Sequence, residues 1–239
     1  MQNRNLKLFE IGNVFFNTGQ KDSQPDEFEI ISGLWTGARV DAYWGSKETS
    51  CDFYDLKGVV EQLLWKLGVV NTIFIRMPPA SCFYTKPGAT AQILVKNEPM
   101  GLVGELHPKV LANYDLKQTA FIFELDLDRL IQLLSDEKFA QPIPKYPATS
   151  KDITLIINKD VETYKIIRYV KMLDEELVET IHLFDVFEGD PIPEERKSVS
   201  LTITYRSLDE TLEDTRTNHI HKSITQLLVE NFDANLPAE

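Results

Sequence analysis

Asp185 and Phe187 stand two residues apart in a β-forming run over 178–187, and Ser198 opens a second such run over 197–206. Residues two apart on a strand share a face. In the second run Val199, Leu201, Ile203 and Tyr205 form an unbroken apolar set that belongs on a covered face. That leaves Ser198, Ser200, Thr202, Thr204 and Arg206 on the solvated side. In the first run Phe184 and Val186 suit the covered face, which puts Leu183, Asp185 and Phe187 on the open one. An exposed ring beside a carboxylate and small hydroxyls can stack an unpaired base and hydrogen-bond its edge. The plainer alternative, with Phe187 capping the sheet edge and Asp185 starting a turn, stays open on pattern alone.

Five elements must position these side chains. A strand over 152–158 precedes a helix over 163–172, and the runs 178–187 and 197–206 are joined through Gly189-Asp190-Pro191. A last helix, from about 213 to 232, carries Ile220, Ile224, Leu227, Leu228 and Phe232 on one stripe, and Ala234 to Leu236 suits a short edge strand. The order β-α-β-β-α-β is the ferredoxin-like split arrangement, in which both helices cover one sheet face and leave the other open.

Upstream, Pro142, Pro144 and Pro147 bar helix and central strand, and a β-run follows them at Ile153 to Ile157. A proline-rich connector before a new strand marks a domain boundary, giving domains over 1–140 and 145–239. In the first, strands are expected at 6–16, 28–36, 72–77, 91–95, 101–106 and 120–125, the first two antiparallel. The stretch Lys96-Asn97-Glu98-Pro99 makes a turn. Thr49 and Asp52 have capping-box spacing ahead of a helix with Phe53, Leu56, Val60, Leu63, Leu64 and Leu67 on one stripe, closed by Gly68. Short helices are expected at 108–114 and 128–134. The fold class is α+β with antiparallel sheets.

The chain has 239 residues and a net charge of −12. Up to Pro144 there are 14 basic and 18 acidic residues, and after it 11 and 19, so the parts carry −4 and −8. Proteins that hold nucleic acid mainly by neutralising phosphate are usually basic, so this chain cannot work that way over its whole surface. With only ~2 or 3 phosphate contacts, the cations that could make them are Lys151, Lys197 and Arg206. No apolar run reaches membrane-spanning length and no charged-then-apolar leader follows Met1. The expectation is a soluble cytoplasmic protein whose Cys51 and Cys82 are free thiols.

Other reactive side chains have ordinary readings. His219 and His221, two apart on a helix, face different ways and suit no shared metal. His107 before Pro108 starts a helix, and Asp174, Glu175, Glu176 and Glu179 make a solvated cluster. Cys51 lies just ahead of a capped helix, where a thiolate could be stabilised, with no base nearby in sequence. Trp35, Trp44 and Trp65 read as core, unless one marks a partner interface. No metal site is expected.

Two groups of motifs carry a family resemblance. His182-Leu183-Phe184-Asp185-Val186-Phe187-Glu188-Gly189, Lys197-Ser198, Thr211-Leu212-Glu213-Asp214 and Tyr146-Pro147-Ala148-Thr149-Ser150-Lys151-Asp152-Ile153 form one group. They resemble the ferredoxin-fold anticodon-binding domain of the bacterial phenylalanyl-tRNA synthetase β subunit. Lys47-Glu48-Thr49, Asp52 to Gly58, Pro87-Gly88 and Gly101 to Pro108 resemble that subunit's class II synthetase-like module. The motifs follow the family order and cover essentially the whole chain, which implies a C-terminal piece of a longer subunit.

The resemblance implies a chain without a catalytic residue or cofactor of its own, with ATP and magnesium at the α-subunit active site. Its partners would be that α subunit and the tRNA(Phe) anticodon stem-loop, with no membrane. It places the anticodon contacts on Asp185, Phe187 and Ser198, with Phe187 where the family usually has tyrosine. The family also tends to place an arginine near the C-terminus, where this chain reads Asn235 to Glu239. A stand-alone ferredoxin-like regulatory or interaction module is the alternative. Its usual glycine-rich turn has no counterpart in Asn158-Lys159-Asp160-Val161. The residues speak on catalysis directly. No arginine has a glutamate two positions on and no two glycines stand two apart, so the Arg-x-Glu and Gly-x-Gly patterns that hold ATP in class II enzymes are missing. The pure chain should therefore give no phenylalanine-dependent pyrophosphate exchange above a mock preparation. Exchange above that background would contradict the reading.

Overall fold

The structure, a computed structural model, describes residues 5–17, 19, 24–40, 43–45, 47–69, 72–79, 81–134, 143–173 and 175–237. The chain divides into two compact units, Met1–Lys138 and Phe139–Glu239. Most of the expected connector, residues 135–142, and Asp174 of the acidic cluster lie outside the described residues.

In the first unit β1 (Leu6–Phe16), β2 (Asp26–Thr36) and the short pair β3 (Ala38–Val40) and β4 (Thr49–Ser50) precede α1 (Phe53–Lys66). Then come β5 (Thr72–Arg76), β6 (Thr85–Val95), β7 (Glu98–Leu106), α2 (Pro108–Asn113), β8 (Ala120–Asp126) and α3 (Leu127–Leu133). Six strands form one antiparallel sheet in the order β1-β2-β8-β7-β6-β5, so the α+β expectation stands. Lys96 and Asn97 both take positive φ, the geometry of a two-residue hairpin turn, and β6 and β7 are longer than the apolar runs that announced them. The capping box sits one turn later than expected. Asp52 is the N-cap, its side chain accepting from Asp55 N–H while the Asp55 carboxylate accepts from Asp52 N–H. Thr49 is consumed by β4.

Leu56, Val60 and Leu64 drive α1 onto a core that includes Ile93, Val103, Phe123 and Leu125. Two glycines are dictated by close approach. The Phe123 ring fills the space where Gly33 would carry a Cβ, and a Cβ on Gly101 would sit 1.9 Å from the Glu124 carbonyl oxygen of the adjacent strand. Of the tryptophans only Trp35 is core. Trp44 and Trp65 are exposed, contrary to the sequence reading.

The second unit runs β9 (Thr149–Asn158), α4 (Thr163–Met172), β10 (Val178–Phe187), β11 (Arg196–Tyr205) and α5 (Asp214–Phe232). Its antiparallel sheet has the order β10-β11-β9. The expected fourth strand is reduced to one bridge, where Asn235 exchanges backbone hydrogen bonds of 2.8 and 2.9 Å with Ile156. Val199, Leu201, Ile203 and Tyr205 are fully buried, as their parity requires. They pack with Ile166 and Val170 of α4 and Ile224 and Leu228 of α5.

All three tryptophans lie in the first unit, so their fluorescence follows its unfolding alone. Gly101→Ala should cost about 3 kcal/mol or more, because the obstacle is backbone. Gly58→Ala, on the exposed face of α1 with open space around it, should gain about 1 kcal/mol. Urea melts read by fluorescence check both. A Gly101→Ala midpoint equal to wild type would refute the close approach.

Candidate nucleic-acid interface

Directly opposed residues of an antiparallel pair share a face, so cross-strand register maps the open side of the second sheet. Phe187 opposes Ser198, which opposes Ile156, and Asp185 opposes Ser200, which opposes Thr154. Next come His182–Thr202–Asp152 and Thr180–Thr204–Ser150. Asp185, Phe187 and Ser198 thus share the open face at one end of the sheet. They reach it by a route that simple alternation misses. Between Leu183 and Asp185, β10 advances two residues while β11 advances one, so Phe184 is an extra, bulged residue that is 53% exposed. A second irregularity falls at Glu179. The bulge corrects two assignments. Leu183 opposes Leu201 and packs on the core, so it is not on the open face, and Phe184 does not fill the covered one. The sequence held a signal for this. By register the helix side of β10 carries Val178, Ile181, Leu183 and Val186, the last of them exposed beyond the packed core, and each three-residue step in that set marks an extra residue.

The polar side chains on β9 and β11 are largely committed to one another. Ser150 and Thr204 lie 3.0 Å apart, Thr154 and Ser200 2.9 Å, and Thr202 donates to Asp152 at 2.6 Å. Among the described residues no hydrogen-bond or ion-pair partner meets the side chains of Ser198, Asp185 or His182. The uncommitted groups therefore follow β10 and its edge with β11.

The three cations do not gather at this site. Lys197 opposes Ile157 and Lys151 opposes Ile203, both buried core residues, so the two lysines belong to the helix side of the sheet. Lys197 Nζ donates to the Lys159 carbonyl at 2.9 Å. Arg206 alone has open-face parity, and its guanidinium is held by Glu179 at 2.8 Å and the Tyr146 carbonyl at 2.7 Å. Sequence reasoning missed Arg196 at the opposite end. It spans Asp233, with its backbone and side-chain oxygens both at 2.9 Å, and secures the end of α5.

Burial pushes the Cys51 thiol above its ordinary pKa and Asp55 adds to the effect, so the place ahead of the capped helix does not favour a thiolate. Burial, and then the 2.6 Å hydrogen bond to Glu124, push the Tyr84 hydroxyl well up and hold it as a donor. His107 is the N-cap of α2, its Nδ1 accepting from Lys109 N–H. No group of three metal-ligating side chains occurs among the described residues.

Comparison with known proteins bears on this geometry. Residues 1–127 match the model of the phenylalanyl tRNA synthetase beta chain CLM domain, and residues 144–237 match that of the ferredoxin-fold anticodon binding domain. The chain belongs to the phenylalanine–tRNA ligase β-subunit family. It is 35% identical over 231 residues to the phenylalanine–tRNA ligase β subunit of Syntrophus aciditrophicus, covering 97% of this chain and 28% of that protein. The Staphylococcus saprophyticus β subunit is 34% identical over 227 residues, covering 95% and 28%. The chain therefore spans about 28% of the length of these relatives. The solved pyrrolysyl tRNA synthetase of Desulfitobacterium hafniense, 14% identical, covers 56% of this chain and 43% of its own with a TM-score of 0.40. The segment matched to the anticodon-binding family contains all of β9, β10, β11, α4 and α5. In this β-subunit relative, no helix among the described residues is long and apolar enough to cross a membrane.

Behind the open face, the Tyr205 hydroxyl lies 2.9 Å from His221 Nδ1, the ring contact that ties β11 to α5. Asp152 and Lys151 also act on His221, and burial is the main cause holding its pKa below the ordinary value. A depressed histidine binds its proton more readily unfolded, so its contribution is present above the unfolded pKa of about 6.5 and is lost as pH falls below it. The thermal midpoint of the second unit should drop between pH 7 and 5.5. His221→Gln should flatten that drop, as read by circular dichroism. An unchanged slope in the variant would contradict the assignment.

Proposed function

We propose that this chain is a non-catalytic portion of a phenylalanine–tRNA ligase β subunit. Its second unit grips the tRNA(Phe) anticodon loop on the open sheet face, and its first unit docks on the catalytic α subunit. Phe187 stacks on an unpaired base, while the Asp185 carboxylate and the Ser198 hydroxyl hydrogen-bond that base's edge. ATP and magnesium act at the α subunit. The observation that carries the tRNA reading is the adjacent pair of rows Phe187–Ser198 and Asp185–Ser200 on the sheet side away from the core. There Asp185 and Phe187 are exposed, Ser200 is buried contrary to its expected solvated place, and Asp185 and Ser198 have no internal partner.

The docking reading rests on β1, whose outer edge pairs with no described strand. It exposes Leu8, Phe9, Ile11, Phe15 and Phe16, with Phe9 at 77%. Apolar side chains on both faces of a long edge strand are what a partner covers and what an isolated chain avoids.

Base–aromatic stacking is worth about 1–3 kcal/mol by alanine substitution, so Phe187→Ala should weaken binding of an anticodon stem-loop roughly 5- to 150-fold. Phe187→Tyr keeps the ring, adds a hydroxyl, and should bind at least as well. The salt dependence should be shallow, because only one of the three cations shares the face and it is already paired. Wild-type affinity in Phe187→Ala, with binding abolished in Lys197→Ala, would sink the stacking reading. With the α subunit, the chain should co-elute at micromolar concentration and bury well over ~1,000 Å². Phe9→Asp with Ile11→Asp should abolish co-elution, and the wild-type chain's failure to co-elute would count against docking.

A further inference from the structure

On the proposal that the open face binds the anticodon loop, we infer that His182 provides a second stacking surface for a different unpaired base from the one on Phe187. Register carries this. His182 opposes Thr202, whose neighbour across β9 is Asp152, so the imidazole shares the open face with Asp185, Phe187 and Ser198. Only the Phe184 bulge makes that possible, since strict alternation would give positions 182 and 185 opposite faces.

Successive open-face rows lie about 6.8 Å apart at the usual antiparallel rise, a step that one splayed-out nucleotide can span. Phe187 and His182 mark the first and third rows, with Asp185 in the row between. A sheet used in this way stacks two or three bases of a single strand, and histidine rings serve as well as phenyl rings in that role. The neighbouring side chains favour His182 over any other residue of its row. Thr202 and Asp152 are bonded to each other at 2.6 Å, whereas His182 is exposed and has no described hydrogen-bond or ion-pair partner. The Thr202–Asp152 pair leaves a second carboxylate oxygen beside the ring to accept from a base amino group.

The occupant is the single strand of the anticodon loop, because the row continues the face on which Phe187 and Asp185 lie and falls within the segment matched to the anticodon-binding family. A region with a net charge of −8, with Asp152 and Asp185 on this face, suits recognition through base faces and edges better than through phosphates.

The test is a thermodynamic cycle with the full 239-residue chain and a tRNA(Phe) anticodon stem-loop, intact or abasic at each anticodon position in turn. Wild type, His182→Ala, His182→Phe and Phe187→Ala are titrated, with circular dichroism confirming that each is folded. His182→Ala should weaken binding of the intact loop about fivefold or more, and His182→Phe should restore it. The His182→Ala loss should vanish on one abasic loop, and that position should differ from the one at which the Phe187→Ala loss vanishes. Wild-type affinity in His182→Ala, with Phe187→Ala weakened, would overturn this inference and leave the anticodon reading standing. A loss equal on all abasic loops would overturn it too, as a general effect on the domain. If Phe187→Ala also binds like wild type, the anticodon reading itself fails.

Discussion

Side chains on a strand alternate with period two, so one extra residue in an edge strand exchanges the faces of everything beyond it. β10 uses this twice, at Glu179 and at Phe184. The inner strand β11 has no such freedom. Its Val199, Leu201, Ile203 and Tyr205 are locked under α4 and α5, and its register with β9 is unbroken over ten residues. The bulges let β10 match that fixed inner strand while keeping Ile181, Leu183 and Val186 on the helix side. What reaches solvent is then His182, Asp185 and Phe187 in consecutive rows. The chemistry available for recognition follows from that offset, because the three would not otherwise share a side.

The face is also stiff where it needs to be. Hydroxyl and carboxylate pairs between β9 and β11 satisfy one another, so the inner part of the sheet offers a settled surface and few groups needing water. The groups left for a ligand sit on the edge strand. Charge works in the same direction. The region after Pro144 carries −8, its two lysine candidates lie on the helix side, and the arginines at both ends of the face are ion-paired to Glu179 and Asp233. On the proposed anticodon reading, affinity would come from stacking and base edges rather than from counterion release.

Much of this could be read from residues alone. Helix α4 and strand β10 fall at the expected positions, and the buried set of β11 was fixed by its alternation. Simple alternation puts Asp185 and Phe187 on the open face, but it misplaces Leu183 and Phe184. The three-residue steps in Val178, Ile181, Leu183 and Val186 carried the missing information. Lys151 and Lys197 could have been excluded by the same parity that buried Ile153 and Val199. Other features depend on tertiary contact and left no local trace. The Asp52–Asp55 box is a choice between two overlapping capping patterns, settled when Thr49 joins a strand. The raised pKa of Cys51 comes from burial, which helix position alone does not reveal. Trp44 and Trp65 are exposed, and α1 meets the core through Leu56, Val60 and Leu64 instead.

The most direct measurement removes the extra residue. In a chain lacking Phe184, β10 would regain simple alternation, with Leu183 and Val186 still inward and His182, Asp185 and Phe187 still outward. The account predicts a folded domain whose affinity for the tRNA(Phe) anticodon stem-loop stays close to wild type. If Phe184 were instead an ordinary strand residue, its deletion would drive Asp185 and Phe187 into the core. Loss of binding with loss of the folded circular dichroism signal would contradict the account.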